Sequence, residues 1–277
     1  MISGRTRIIA HIGYPTASFK APLIYNPWFA RQGIDVVVVP MACRAGDYEA
    51  LLRPLFRLAN VHGALVTMPH KVATVALLDE CSTAVKIAGS CNAIVKRDDG
   101  TLAGDMFDGA GYVRGAKRKG FGFEGKRCLI VGTGGVGSAI AASIAAERVA
   151  ALSLFDVDAT AADALAARLR TYYPGVDVQT GSRDPQGYDM VVNATPLGME
   201  DADPLPFDVA RLDRGTFVGE VVMKREMTPL LQAAQGRGCP FQVGTDMLFE
   251  MIPAYLEFFG FGTATPEALR AVAKVEY

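Results

Sequence analysis

Apolar and polar positions fall along this chain in short blocks that switch between two periods. Ile8 to Ile12 reads as a strand and Leu23 to Gln32 as a helix. Asp35 to Pro40 holds four successive valines, which predicts a strand buried on both faces. Asp47 stands where it would cap a helix running to about Ala59. Ala64 to Met68 predicts a third strand, Lys71 to Asp79 a helix, and Ser90 to Lys96 a fourth strand ending in the Asp98-Asp99-Gly100 turn. Strand and helix in alternation imply a mainly parallel sheet with helical crossovers.

A second series follows a helix near Tyr112 to Lys119. Lys126 to Val131 is a strand and Val136 to Arg148 an Ala-rich helix. Ala151 to Phe155 is a strand, Ala159 to Thr171 a helix, and Met190 to Asn193, Phe217 to Val222 and Phe241 to Val243 are further strands. This is the order of a doubly wound dinucleotide domain. Apolar helices from Met247 onward close the chain. The expected fold class is therefore α/β in two domains, the second of Rossmann type.

Composition narrows the function classes. At 277 residues the chain suits two domains of ordinary size. The formal charge is -1, so nothing draws it toward nucleic acid. The one basic cluster, Arg114 to Arg127, reads as a solvated helix face with its following loop. No charged-then-apolar leader is visible, and no apolar run approaches the roughly 20 residues a bilayer requires. The expectation is a soluble, cytoplasmic protein with no membrane contact. Five cysteines without a Cys-x-x-Cys pair argue against a disulfide framework and a structural zinc site. Three histidines at no ligand spacing lead us to expect no metal.

The strongest local signal is Cys128-Leu-Ile-Val-Gly-Thr-Gly-Gly-Val-Gly137. Gly132, Gly134 and Gly137 follow an apolar strand and open an Ala-rich helix. The three have separate tasks: a tight turn, close approach of the backbone to a pyrophosphate, and helix–strand packing. With Thr133, Gly135 and Val136 they form a phosphate cradle at a helix N-terminus, whose free N–H groups and dipole favour an anion. Asp156 ends the next strand, where a carboxylate accepts from ribose hydroxyls and repels a 2′-phosphate. Phe155-Asp156-Val157-Asp158 offers no Arg for that phosphate, so the expected cofactor is NAD.

The first domain carries Val66-Thr67-Met68-Pro69-His70-Lys71, then Gly89-Ser90-Cys91-Asn92-Ala93, and the chain continues to Gly104-Asp105-Met106-Phe107-Asp108-Gly109. Lys71, Asn92 and Asp108 are polar groups at strand ends or in loops, where open α/β sheets place ligands. A Lys and an Asp sharing a cleft can move a proton while hydride passes to or from a nicotinamide. His70 has no visible partner and reads as a loop or core histidine.

With Gly13-x-Pro15 and Asn193-Ala-Thr-Pro-Leu-Gly-Met199, these motifs carry a resemblance. In their order and spacing the chain resembles the shikimate and quinate dehydrogenase family over essentially its whole length. The resemblance implies reversible oxidation of a ring hydroxyl to a ketone on a cyclic hydroxy acid, in the setting of aromatic amino acid biosynthesis or quinate use. It implies a substrate domain over 1–107, joined by helices in 246–277, and an NAD domain over 108–245. Lys71 and Asp108 match the family's catalytic pair, Thr67 and Asn92 its substrate-binding residues, and Asn193, Ala194 and Thr195 the segment beside the cofactor. The expected assembly is a monomer or homodimer.

The departures concern one end of the pocket. The family's early loop reads roughly Gly-x-Pro-x-x-His-Ser-x-Ser-Pro, its two serines holding the substrate carboxylate. Here Phe19 and Ala21 stand at those serine positions, with Ser18 and Lys20 beside them. Met106 and Phe107 replace an Asn-Thr pair, Met223 falls where a Tyr is expected, and Met251 where a Gln is expected. The resemblance thus implies that Phe19, Ala21, Met223 and Met251 line an altered pocket. A non-catalytic NAD- or metabolite-binding protein on the same scaffold is the alternative; retention of both Lys71 and Asp108 favours the enzyme.

Overall fold

Ten strands and helices account for the chain as far as Phe107. The strands are β1 (Arg7–Gly13), β2 (Val36–Ala42), β3 (Val61–Val66), β4 (Glu80–Cys81), β5 (Ala93–Lys96) and β6 (Leu102–Asp105). The helices are α1 (Pro22–Gln32), α2 (Tyr48–Leu55), α3 (Lys71–Thr74) and α4 (Thr83–Ala88). The computed structural model describes residues 2–275; Met1, Glu276 and Tyr277, assigned by sequence to the first domain, lie outside the described residues. Two compact units emerge, one running to Phe107 and resuming at Met251, the other spanning Asp108–Glu250.

In the first unit the sheet order is β2-β1-β3-β5-β6-β4. β1 pairs parallel with β2 and β3, while β5 runs against both β3 and β6. Pro22 opens α1, where a missing N–H costs nothing, and Gly33 closes it in the left-handed region at φ 67°. The valine run behaves differently from expectation. β2 is an edge strand, so Val36 and Val38 are buried while Val37 and Val39 are half-buried and Pro40 is exposed. An edge tolerates the absent N–H of Pro40; an interior strand would not. Asp47 likewise does not cap a helix. It ends the short 3-10 turn Ala45–Asp47 with no capping bond, and α2 stops at Leu55, just past Pro54.

The second unit holds α5 (Asp108–Arg118), β7 (Arg127–Val131), α6 (Gly135–Ala146), β8 (Ala151–Phe155), α7 (Ala159–Tyr172), β9 (Asp177–Thr180), β10 (Met190–Asn193), β11 (Phe217–Glu220), α8 (Pro229–Gly236) and β12 (Phe241–Gln242). All six strands are parallel, in the order β12-β11-β10-β7-β8-β9. The order in which strands are added reverses between β7 and β10, the switch point where doubly wound sheets bind ligands. α9 (Gly244–Phe258) begins in this unit and ends in the first, where α10 (Pro266–Arg270) follows.

The basic cluster is not simply a solvated face. Lys117 pairs with Glu147, Arg118 with Glu250, Lys119 with Asp246 and Lys126 with Asp189. Each cation meets a carboxylate of another segment of the same unit, an arrangement worth little per pair where exposed. No helix among the described residues is long and apolar enough to cross a membrane.

Helices α5 and α6 approach so closely that a Cβ on Gly109 would collide with the Ala139 carbonyl and the Ser143 hydroxyl. Gly109→Ala should therefore force the helices apart and cost about 1–3 kcal/mol. Thermal denaturation should show the loss as a drop of several degrees; an unchanged Tm would refute the close packing.

Candidate functional site

In the second unit the glycine-rich turn leaves β7 and enters α6. Gly132 takes φ 101°, a conformation that favours glycine, and a Cβ there would strike the Ala194 backbone. Gly137 packs so tightly on the Gly132 carbonyl that no side chain fits. Gly134 differs: it is exposed, and nothing lies within 4 Å of where its Cβ would be. Two glycines thus serve the fold, and the third leaves bare backbone facing open space at the start of a twelve-residue helix. That combination suits the pyrophosphate of a dinucleotide.

Asp156 closes the turn from the side. Its carboxylate accepts from the Thr133 N–H at 2.6 Å and the Thr133 hydroxyl at 3.0 Å, and from the Asp158 N–H at 3.0 Å. Burial acts to raise its pKa, but the bonds from Thr133, Asp158 and Val157 outweigh it and hold the group below the usual carboxylate range. Capping of α7 falls instead to Asp158, which accepts from Thr160 and Ala161. Val157 projects into solvent, 94% exposed.

Beside the turn, Asn193 ends β10. Its side-chain NH₂ donates to Glu220 and to the Leu197 carbonyl, each at 2.9 Å, and its oxygen accepts from the Thr195 N–H and hydroxyl. Glu220 is fully buried and accepts in addition from Thr228, Val221 and Val222. Burial raises its pKa, only partly offset by these donors. One carboxylate therefore pins the Asn193–Thr195 segment to the loop after β11, where Met223 lies half-buried. Glu220 escaped sequence reasoning; its signal was an acid ending an otherwise apolar strand.

In the first unit, the C-terminal end of β1 is covered by Phe19. A Cβ on Gly13 would run into Thr67 and Phe19, so both pack directly on that glycine. The Phe19 ring stacks on His11 with centroids 4.0 Å apart. His11 is buried, its Nδ1 has no partner, and burial together with the nearby Lys71 pulls its pKa down to about 3. Lys71 opens α3, half-buried. His70, the tempting neighbour, is a structural residue: it bonds the Cys43 carbonyl at 2.8 Å and stacks on Tyr48.

Asn92 is buried, and its side-chain oxygen accepts from the Phe107 N–H at 3.1 Å. Ala21 precedes α1, buried on the face that carries Tyr25 one turn later. Tyr25 meets Tyr255 edge-on at 6.5 Å, and Tyr255 donates to the Asn92 carbonyl at 3.5 Å. Met251 lies one turn before Tyr255 on α9, half-buried. The structure thus brings Phe19 and Lys71 to His11, packs Thr67 with Phe19 on Gly13, and links Ala21 to Asn92 through the two tyrosines. His11 and Tyr25 were not foreseen. Asp108 is buried as the first residue of α5 and belongs to the second unit.

Known proteins match this arrangement. A family model described as the shikimate dehydrogenase substrate binding domain matches residues 11–94. The shikimate dehydrogenase (NADP(+)) of Acidiphilium cryptum is 32% identical over 99% of this chain and 98% of its own length. The chain belongs to the shikimate dehydrogenase family. Two solved structures share the fold. The quinate dehydrogenase of Corynebacterium glutamicum, in complex with NAD, is 28% identical with a TM-score of 0.86, covering 96% of this chain and 98% of that one. The shikimate 5-dehydrogenase of Listeria monocytogenes, in complex with shikimate and NAD, is 25% identical with a TM-score of 0.88, covering 98% and 97%. As a shikimate dehydrogenase family member, the chain is an α/β oxidoreductase of the CH–OH type.

His11 makes stability depend on acidity. A histidine held near 3 in the fold and near 6.5 when unfolded binds its proton only in the unfolded chain between those values. Acid therefore favours unfolding, by up to about 1.4 kcal/mol per pH unit. His11→Phe should lose less Tm than the unmodified protein between pH 6.5 and 5. Equal losses would show that His11 titrates normally.

Proposed function

We propose that this protein is an NAD-dependent dehydrogenase that reversibly oxidises a ring hydroxyl to a ketone on shikimate, quinate or a relative of them. The observation that carries the NAD assignment is Asp156, bonded to Thr133 beneath the glycine-rich turn. A carboxylate fixed there accepts from the adenosine ribose and repels a 2′-phosphate, and Val157 offers no cation in exchange. Gly132, Thr133, Gly134, Gly135, Val136 and Gly137 hold the pyrophosphate, and Asn193, Ala194 and Thr195 line the nicotinamide side. When bound, NAD supplies the acceptor for the hydride.

Lys71 and Asp108 carry the proton chemistry, as their match to the family's pair supports. In the oxidising direction the Lys71 amine takes the proton of the substrate hydroxyl. Thr67 and Asn92 bond the neighbouring hydroxyls. The first unit binds substrate, and the second, Asp108–Glu250, binds the cofactor.

Lys71→Ala should lower kcat by about 10²-fold or more with NAD affinity nearly unchanged, the scale for losing a positioned acid–base group. Normal turnover in that variant would remove Lys71 from the chemistry.

Cofactor choice follows from charge. The unmodified enzyme should use NAD with the higher kcat/KM, Asp156→Ala should narrow the gap, and Asp156→Ala with Val157→Arg should narrow it further. Steady-state kinetics at matched ionic strength decide this. Equal use of both cofactors by the unmodified enzyme would contradict it.

A further inference from the structure

The wall around Thr67 and Ala21 has an unusual polar inventory. Phe19 occupies the end of β1, with its face on His11 and its edge against Gly13 and Thr67. Ala21, Met106 and Met251 contribute no hydrogen-bonding side chain beyond a weak thioether acceptor. Phe107 packs edge-on against Tyr255 at 4.8 Å. Lys71 is the cation that acts on His11, and the proposed chemistry already uses it; the half-buried Lys20 stands between Phe19 and Ala21. A carboxylate buried against Phe19 would lose its water and gain no side-chain hydrogen bond from Phe19 or Ala21, a costly transfer.

Two buried polar atoms in the same unit nevertheless stand without partners: His11 Nδ1 and the Tyr25 hydroxyl. Tyr25 is almost wholly buried, on the α1 face that carries Ala21, and His11 lies directly beneath Phe19. Buried groups of this kind normally find a hydrogen bond, and a bound molecule can supply one to each. Both can engage a neutral partner. A hydroxyl donates to a ring nitrogen or a phenol oxygen, and the Tyr25 O–H donates to a hydroxyl or carbonyl oxygen. His11 cannot readily serve as a cation, because burial and the nearby Lys71 pull its pKa well below the usual histidine range.

We propose that the substrate is an uncharged cyclic polyol, with its ketone as the reverse-direction substrate, and that His11 and Tyr25 bond its hydroxyls where a carboxylate clamp would otherwise stand. This deepens the dehydrogenase reading and rests on it for the redox step, which is unchanged. His11, Phe19 and Tyr25 are then the specificity-determining residues, and Lys71 retains its role.

The test uses the full-length protein with NAD and two sets of probes: inositol isomers as uncharged cyclic polyols, and shikimate and quinate as carboxylates. Turnover is read as NADH formation and binding by calorimetry. At least one inositol should show a kcat/KM about 10²-fold or more above both acids. Tyr25→Phe and His11→Val should each raise KM for that inositol by about tenfold, the worth of one hydrogen bond, with kcat within about threefold. Phe19→Ser with Ala21→Ser should move preference toward shikimate. Low-micromolar KM for shikimate or quinate, abolished by Lys71→Ala, would overturn the polyol inference while leaving the dehydrogenase reading intact. Binding of an inositol, weakened in both variants but without NADH formation, would uphold the inference and sink the dehydrogenase reading. If neither inositols nor acids bind, the inference is wrong. Tyr25→Phe removes one oxygen, so its KM can be compared at matched Tm, and unchanged inositol KM in both variants would remove His11 and Tyr25 from recognition.

Discussion

The bond between the Asp156 carboxylate and Thr133 ties two strand ends of the second unit together, and the arrangement of its candidate site follows from it. β7 and β8 are parallel neighbours, so the turn after one and the residue ending the other emerge side by side. Thr133 donates from both backbone and side chain, which holds the turn in the path that Gly132 and Gly137 permit. Gly134 is left with its backbone bare at the head of α6. The same carboxylate stays ionised because those donors outweigh its burial. Positive potential at the helix start and negative charge at the end of β8 thus lie side by side.

The first unit follows a different logic at its own strand ends. Gly13 has no side chain because Phe19 and Thr67 occupy that space. Covering β1 with an aromatic ring desolvates His11, and desolvation beside Lys71 keeps it neutral. A neutral, buried imidazole beneath a phenyl ring makes a poor anion site and a serviceable site for hydroxyls. Under the polyol proposal, substrate choice turns on which atoms cover this strand end.

Much of the second unit was legible because its central strands are unbroken apolar runs. Ala151–Phe155 and Met190–Asn193 coincide with the expected strands to the residue, since burial on both faces demands unbroken apolar runs. β9, with its Asp-Val-Gln-Thr sequence, is an edge strand and shows no such run. β4 and β6 were missed for similar reasons of shortness, and α4 and α8 because each spans two turns or so. The valine run of β2 misled in the opposite sense: composition suited an interior strand, but topology put it at the edge. At the site, glycine spacing and Asp156 could be read directly, because their chemistry is local. His11, Tyr25 and Glu220 matter through contacts across the fold, with Phe19, Tyr255 and Asn193, and no spacing in the chain announces those.

In the proposed reading the backbone from Thr133 to Val136 seats the dinucleotide and Asp156 gates its ribose. Backbone-amide NMR during separate titrations with NAD and NADP at one ionic strength tests this most directly. The account predicts that the Thr133, Gly134, Gly135 and Val136 amides shift with NAD and saturate at lower concentration than with NADP. Amides of this turn that stay unmoved by NAD, or follow NADP equally well, would contradict it.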